Sequence, residues 1–542
     1  MLKRLYLALV LSLGLACSVT QAYVQVPAQY IAKGYSEALG RAPDTGGWSS
    51  AVTYFAQNGC SASTLKTWGT SLLTSPEFVG LGYDPYAETL ILYRFILDRE
   101  PDSGGFDYWS NQLATGAMTW AQLVATSYGS VEFADLASEY ICNIADYSFS
   151  PLGATTAMQI PTPHSGGLPA GTTQAQLQAQ LTSMAASGGG TVYLQQESVV
   201  YISSPPLTIP TGVTLATYGS PPPHQHALMA RLVRSAFGTA GFPLVEIGTD
   251  TTNSTAAVRN LWIDGQRSLS TQYVHDSINI EIHGGSNVVI DSNFIDNSQG
   301  WSNVHSYGTL DGAPCAGNTV TNNVITAYSA VHQGGAATDG LSLGCDSTTA
   351  TGNGIIDPSD VGIVLFTAGT GTQRSVAESN TVVSAGHSAY GAFGFDPLYT
   401  VLGGGANSVN TSPTPSFAGA EINGNTFWSG PNTHFTVGLA IGSRPWFATT
   451  STQVGNIGSG AQMLNNTTGG IRTNMAEGME TCGMLNATVE GNSLLSNPIA
   501  STCTSMPQGN IFACVSSGLA SGTLQGPYTD IDLTGLISDS CQ

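Results

Sequence analysis

An asparagine returns at a nearly fixed interval through the second half of the chain. Asn293, Asn323 and Asn353 are 30 residues apart, and Asn380 follows 27 later. Each stands in a short apolar unit: Asn293-Phe294-Ile295, Asn323-Val324-Ile325, Asn353-Gly354-Ile355 and Asn380-Thr381-Val382. Later copies are Asn425-Thr426-Phe427 and Asn492-Ser493-Leu494. A unit of this length cannot bury its apolar face alone, so the copies must stack. The flanking Val, Ile and Phe fill the interior of the stack. The asparagine is expected at a corner, in the left-handed region open to it, hydrogen-bonding from coil to coil. The longer gaps, 380 to 425 and 425 to 492, predict loops projecting from the side.

This layout resembles the right-handed parallel β-helix proteins, a superfamily that includes pectate lyases, polygalacturonases, alginate epimerases, fructan-acting enzymes and phage tailspikes. The resemblance spans about residues 188–500. It implies an all-β C-terminal domain, and the 30-residue ladder disfavours a β-sandwich.

The other segments have different signatures. Lys3 and Arg4, an apolar run from Leu5 to Ala16, and Thr20-Gln21-Ala22 predict a signal peptide over 1–22. Cys17 offers a lipoprotein alternative. The expected location is therefore secreted or periplasmic, and no later stretch reads as transmembrane. Residues 23–148 contain a duplication. Arg41-Ala42-Pro43-Asp44-Thr45-Gly46-Gly47-Trp48 returns as Arg99-Glu100-Pro101-Asp102-Ser103-Gly104-Gly105-Phe106, then Tyr108-Trp109. Each copy ends in Ser-x-Glu-Phe, at Ser75–Phe78 and Ser130–Phe133. Apolar residues at helical spacing between Tyr86 and Leu97 predict a small all-α domain.

This element resembles a bacterial domain of unknown function related to phycobilisome linker repeats. The resemblance implies attachment to a cell surface, or spacing, rather than catalysis. Asp44 and Asp102 are read as turn caps, structural calcium being the alternative. Residues 149–187 read as a linker and a capping segment, with a helix over 175–185. Residues 501–542 read as a disulfide-bearing tail or cap.

Charge and cysteine usage narrow the partners. The chain has 35 acidic and 14 basic residues, a net charge of −21, and no lysine after Lys66. Such a surface repels nucleic acid and anionic membrane. Its uncharged polar residues suit an extracellular polysaccharide. Cys60, Cys142, Cys315, Cys345, Cys482, Cys503, Cys514 and Cys541 are an even set, fit for disulfides in an oxidising compartment. The expected pairs are Cys60 with Cys142 and Cys315 with Cys345, with two more near the C-terminus. The cysteines lack zinc-ligand spacing. No metal and no cofactor are expected.

The expected chemistry is glycoside hydrolysis by paired aspartates. Elimination from a uronate needs a base, in β-helix lyases usually Lys or Arg, and this region has no lysine. A non-catalytic adhesion protein and a polysaccharide lyase or epimerase are the alternatives. Hydrolysis needs two carboxyl groups, one as acid and one as base or nucleophile. Asp339 and Asp360 each stand at a strand start, where stacking would bring them together and couple their protonation. Asp357, Arg374, His387 and Asp396 are the expected substrate contacts. Thr338-Asp339-Gly340 resembles part of the Asn-Thr-Asp-Gly motif of polygalacturonase-like hydrolases. That family's later Gly-His-Gly and Arg-Ile-Lys motifs are absent, Gly386-His387-Ser388 and Arg374 being the nearest elements. Asp264, Asp276, Glu281 and Asp291 form a second acidic group in the sequence. Trp301, Tyr307, Tyr390 and other aromatics are candidates for a saccharide platform, with His275, His305 and His332 as polar candidates.

Overall fold

The structure, a computed structural model, describes residues 25–143, 157–236, 240–248, 255–266, 274–307, 315–327, 338–367, 371–401, 415–442, 453–456, 458–482, 484–498 and 511–514. The expected signal peptide, Cys17, His332, Cys503 and Cys541 lie outside the described residues, as do the side chains of Cys482 and Cys514.

From Gly190 the chain winds through three long parallel sheets, here called A, B and C, of 10, 8 and 11 strands. Successive strands of a sheet come from successive coils, so each coil pairs with the one before and the one after. The architecture is a right-handed parallel β-helix carrying a small helical N-terminal region. Its core is one continuous column of inward side chains, among them Leu215, Ile290, Ile325, Ile363, Phe393 and Leu439.

The asparagine ladder lies inside the turn from sheet A to sheet B. Asn323 donates from Nδ2 to Asn353 Oδ1 at 2.9 Å and to the Ile290 carbonyl at 3.0 Å, while its N–H also reaches Asn353 Oδ1. The same three bonds recur at Asn293, Asn353, Asn380, Asn425 and Asn466. These side chains are buried, and each net bond contributes about 1 kcal/mol. Two expectations need correction. The left-handed residue is not the ladder asparagine but its predecessor: Ser292, Asn322, Gly352, Ser379, Gly424, Asn465 and Gly491 all have φ between 53° and 69°. The backbone turns there so that the next side chain points inward. The gap from Asn425 to Asn492 also holds a further coil carrying Asn466.

Helix Gln174–Ala186 closes the open end of the column, with Leu177 and Leu181 in the core. Thr173 and Gln176 form its capping box. At the other side the Cys315–Cys345 disulfide joins two neighbouring coils.

The N-terminal repeat is an ion-paired helix cap used twice. Asp44 and Asp102 accept from the N–H groups of Gly47 and Gly105 at 2.8 Å and cap helices Thr45–Asn58 and Ser103–Ala114. Arg41 and Arg99 reach from these turns to Glu77 and Glu132 of the two Ser-x-Glu-Phe elements. Ser75 and Ser130 cap the helices that follow them. Thus the two halves of each motif are partners. A Cβ at Gly47 would lie 2.0 Å from the Tyr35 hydroxyl, so any larger residue would force the Tyr35 ring aside. The Cys60–Cys142 disulfide ties the turn after helix Thr45–Asn58 to the C-terminal end of the domain.

This domain is not a tethered spacer, because it packs on the outer face of sheet B. Ile356, Val383, Ala385 and Trp428 of the β-helix share a buried cluster with Trp48, Phe55, Phe95 and other helical residues. The approach is close: a Cβ at Gly354 would come within 2.9 Å of the Ala42 side chain. Beside the cluster lies a buried charge network. Arg94 pairs with Glu37 at 2.8 Å, with Asp296 at 2.9 Å, and with Glu100. Arg231 pairs with Glu100 at 2.6 Å and with Asp264. Both guanidinium groups also lie over the Trp262 ring, 4.6 and 4.0 Å from its centroid. Burial raises Glu37, but Arg94 and His226 outweigh it and hold the carboxyl well below the usual range. Glu100 is likewise lowered by Arg231 and Arg94 against its burial.

Candidate active site

The outer face of sheet C carries the acidic groups. Leu341 and Leu343 point into the core, so Ser342 between them points out. The register places Ser342 in a continuous row: Glu281, His305, Ser342, Val364, Gly394, Ala440 and Glu480 lie side by side on successive coils. A parallel row holds Gly391, Val437 and Glu477. Another pairs Phe366 with Asp396.

Asp339 opens the strand Asp339–Leu343 and is 5% exposed. Its Oδ1 accepts the Val361 N–H at 2.9 Å and its Oδ2 accepts the Ser342 hydroxyl at 2.6 Å. Ser342 is itself 2.9 Å from Ser302 Oγ. Leu341 pairs with Ile363, so Asp339 stands opposite Val361, and Asp360 lies one residue ahead of strict register. The two carboxyl groups nonetheless interact. Burial, and then the charge of Asp360, raise Asp339 well above the usual carboxylate range. Burial raises Asp360 to about 6.

The surrounding groups are of two kinds. Half-exposed Tyr390 feels Glu480, Asp360, Glu477 and Asp396 together, and its hydroxyl is raised by burial and then by these charges. Glu477 is pushed up to about 7 by burial. Asp396 is pushed up to about 8 by burial, against a 2.7 Å hydrogen bond from the Leu398 N–H. On the other flank aromatic rings and imidazoles stack. Trp301 is 4.3 Å from His305 and 5.5 Å from His275, while Tyr307 is 4.7 Å from His305 and 4.6 Å from His283. His305 Nδ1 lies 3.3 Å from Glu281 Oε1. The site thus combines neutral and ionised carboxyl groups, able to donate and accept protons near neutrality, with partly exposed ring faces.

The structure brings Asp339, Asp360 and Asp396 to one face and separates the other expected contacts from it. Asp357 is fully buried at the corner between sheets B and C, where its Oδ1 accepts the N–H groups of Ala385 and Gly386 at 2.6 and 2.8 Å. It is a corner cap, not a substrate contact. His387 is 6% exposed in the same corner. Arg374 is exposed beyond the far end of the strands and pairs with Asp346 through Nε at 3.1 Å. The second acidic group is dispersed: Asp264 meets Arg231, Asp291 meets Arg259 on sheet A, and Asp276 meets His275 at the surface. Only Glu281 joins the sheet C row. Ser342, Glu477 and Glu480 were not singled out by the sequence reading. The Asn465-Asn466 pair, a copy of Asn322-Asn323, is the signal that would have located the coil bearing Glu477 and Glu480.

Residues 69–137 match a family model described as a domain of unknown function (DUF4214). No curated protein matches the chain. Among solved structures, the A-module of the mannuronan C-5 epimerase AlgE6 of Azotobacter vinelandii is similar at 15% identity. The match covers 67% of this chain and 91% of that one, with a TM-score of 0.37. The A-module of AlgE4 from the same organism gives 14% identity, 67% and 93% coverage and a TM-score of 0.29. The tailspike protein of E. coli bacteriophage HK620 in complex with a pentasaccharide gives 11% identity, 63% and 61% coverage and a TM-score of 0.35.

Proposed function

We propose that the outer face of sheet C binds a polysaccharide and that the protein hydrolyses it, with Asp339 and Asp360 as the acid and base pair. The observation that carries this reading is the interacting Asp339–Asp360 pair set beside the Trp301, His305 and Tyr307 stack. Because the pair resists double ionisation, one member stays protonated to serve the leaving oxygen while the other accepts a proton or attacks. The described strands of sheet C contain neither lysine nor arginine, the residues that β-helix lyases usually use as the base, and this favours hydrolysis over elimination. The disulfides fit an extracellular or periplasmic setting.

The test is D339N and D360N, each assayed on a polysaccharide panel with melting temperature measured alongside. Turnover should fall about 100-fold or more at preserved melting temperature. Full turnover in both variants would reject the pair. A product with a conjugated double bond, seen by its ultraviolet absorbance, would reject hydrolysis. A second reading rests on the satisfied hydrogen bonds of Asp339: a binding face without turnover, in which Asp339 ties one coil to the next. Binding without product across the panel would select it.

A further inference from the structure

Three side chains meet where the helical domain, the connecting segment and the first coil come together. Asp84 precedes helix Pro85–Ile91, His164 lies in the segment leading to the β-helix, and Glu197 stands just before the strand Val199–Ile202. One ligand atom from each lies within 4.8 Å of the other two. Asp84 Oδ2 is 3.1 Å from His164 Nε2, and Glu197 Oε2 is 3.8 Å from it.

Each residue is held in place by other bonds. Asp84 uses Oδ1 to cap its helix, accepting from Tyr86 and Ala87 at 2.8 and 3.0 Å, which leaves Oδ2 to face the other two. The His164 N–H donates to Thr162 Oγ1 at 3.2 Å, and its carbonyl accepts from Gln195. Glu197 has φ of 61° and donates its N–H to Leu228. That left-handed turn carries its side chain inward, where it is 0% exposed. Neither of its oxygens has a hydrogen bond of normal geometry, and its polar neighbours are the Thr162 hydroxyl, the Asp84 carboxyl and His164. Among the described residues, no lysine or arginine forms an ion pair with either carboxylate. A cation bound there would supply the counter-charge that a carboxylate in this buried place otherwise lacks.

We propose that Asp84, His164 and Glu197 bind one transition-type divalent cation, Zn²⁺ or Mn²⁺, that pins the helical domain to the first coil. Tetrahedral ligands on zinc are separated by about 3.3 Å, so the observed 3.1 and 3.8 Å need little adjustment. One imidazole nitrogen with two carboxylates suits such ions. Ca²⁺ asks for six to eight oxygens and is a poor match.

The test uses the full-length chain stripped with EDTA, then given Zn²⁺, Mn²⁺ or Ca²⁺ separately. Retained metal is measured by mass spectrometry and stability by melting temperature. The wild type should keep one Zn²⁺ or Mn²⁺ more than H164N and E197Q and should melt higher with it. Each variant should weaken this binding at least about tenfold. E197Q should leave the metal-free melting temperature unchanged or higher, since an amide replaces a buried acid. If E197Q does not fold, H164N at its part-exposed position carries the comparison. A wild type that holds no more metal than H164N, or that responds to Ca²⁺ alone, overturns the proposal.

Discussion

Sheets B and C present outer faces built from the same coils, yet they give their acidic side chains different partners. On sheet B, Asp264 and Asp296 meet Arg231 and Arg94, and Trp262, Phe294 and Trp428 supply an apolar surface for the helical domain. Glu37 and Glu100, which come from that domain, are held in the charged form. On sheet C, Asp339, Asp360, Asp396 and Glu477 stand near one another with no arginine among the strands, and all four are raised. Asp296 shows the same principle within sheet B: buried beside Asp264, it is raised in spite of both arginines. Buried carboxyl groups follow their neighbours, not their strand. One face is covered by the helical domain and its arginines, and the other carries raised carboxyl groups without a cation among its strands.

The largest expected effect comes from breaking the paired face. R94M removes the cation shared by Glu37, Glu100 and Asp296 and leaves them buried. It should destabilise the fold by about 3–5 kcal/mol, measured by denaturant unfolding. A near-neutral result would mean that the network adds little to the docking of the helical domain.

The next effect is the pH dependence, whose sign differs between the faces. Raised carboxyls stabilise fully below their unfolded values near pH 4, and this stability is lost as pH rises through the folded values of about 6 for Asp360, 7 for Glu477 and 8 for Asp396. Lowered Glu37 and Glu100 stabilise above their unfolded values, and that contribution is lost as pH falls. D396N should therefore flatten the decline between about pH 4 and pH 8 and gain stability over wild type as the pH rises to about 9. Melting curves across pH check this, and parallel profiles for the two proteins would contradict it.

The smallest effect sharpens the role of the stacked rings. W301A should raise KM about tenfold with kcat within about twofold, a binding loss of about 1.4 kcal/mol. An equal fall in kcat would instead place Trp301 in the positioning of the acid and base.

The stacked coils were legible because each asparagine bonds to its copy in the next coil, so the constraint recurs in the sequence itself. Asn466 escaped notice because inserted residues stretch its spacing from Asn425. Asp339 and Asp360 were legible as strand starts. Glu477, Glu480 and Ser342 were not, because contacts on this face run across coils of unequal length: Leu341 meets Ile363, but Phe393 meets Leu439. His387 and Arg374 lie close to the site in sequence and far from it in the coil, one at its B–C corner and the other past the ends of its strands.

The sequence by itself determined the repeat and the capped and duplicated helices, because each depends on local geometry or on one regular period. Only the tertiary structure decided which face the helical domain covers, which acids are neutralised by arginine, and that Asp84, His164 and Glu197 meet. Those outcomes depend on register between coils and on the docking of one domain against another. Both are fixed by summed packing over many residues far apart in the chain.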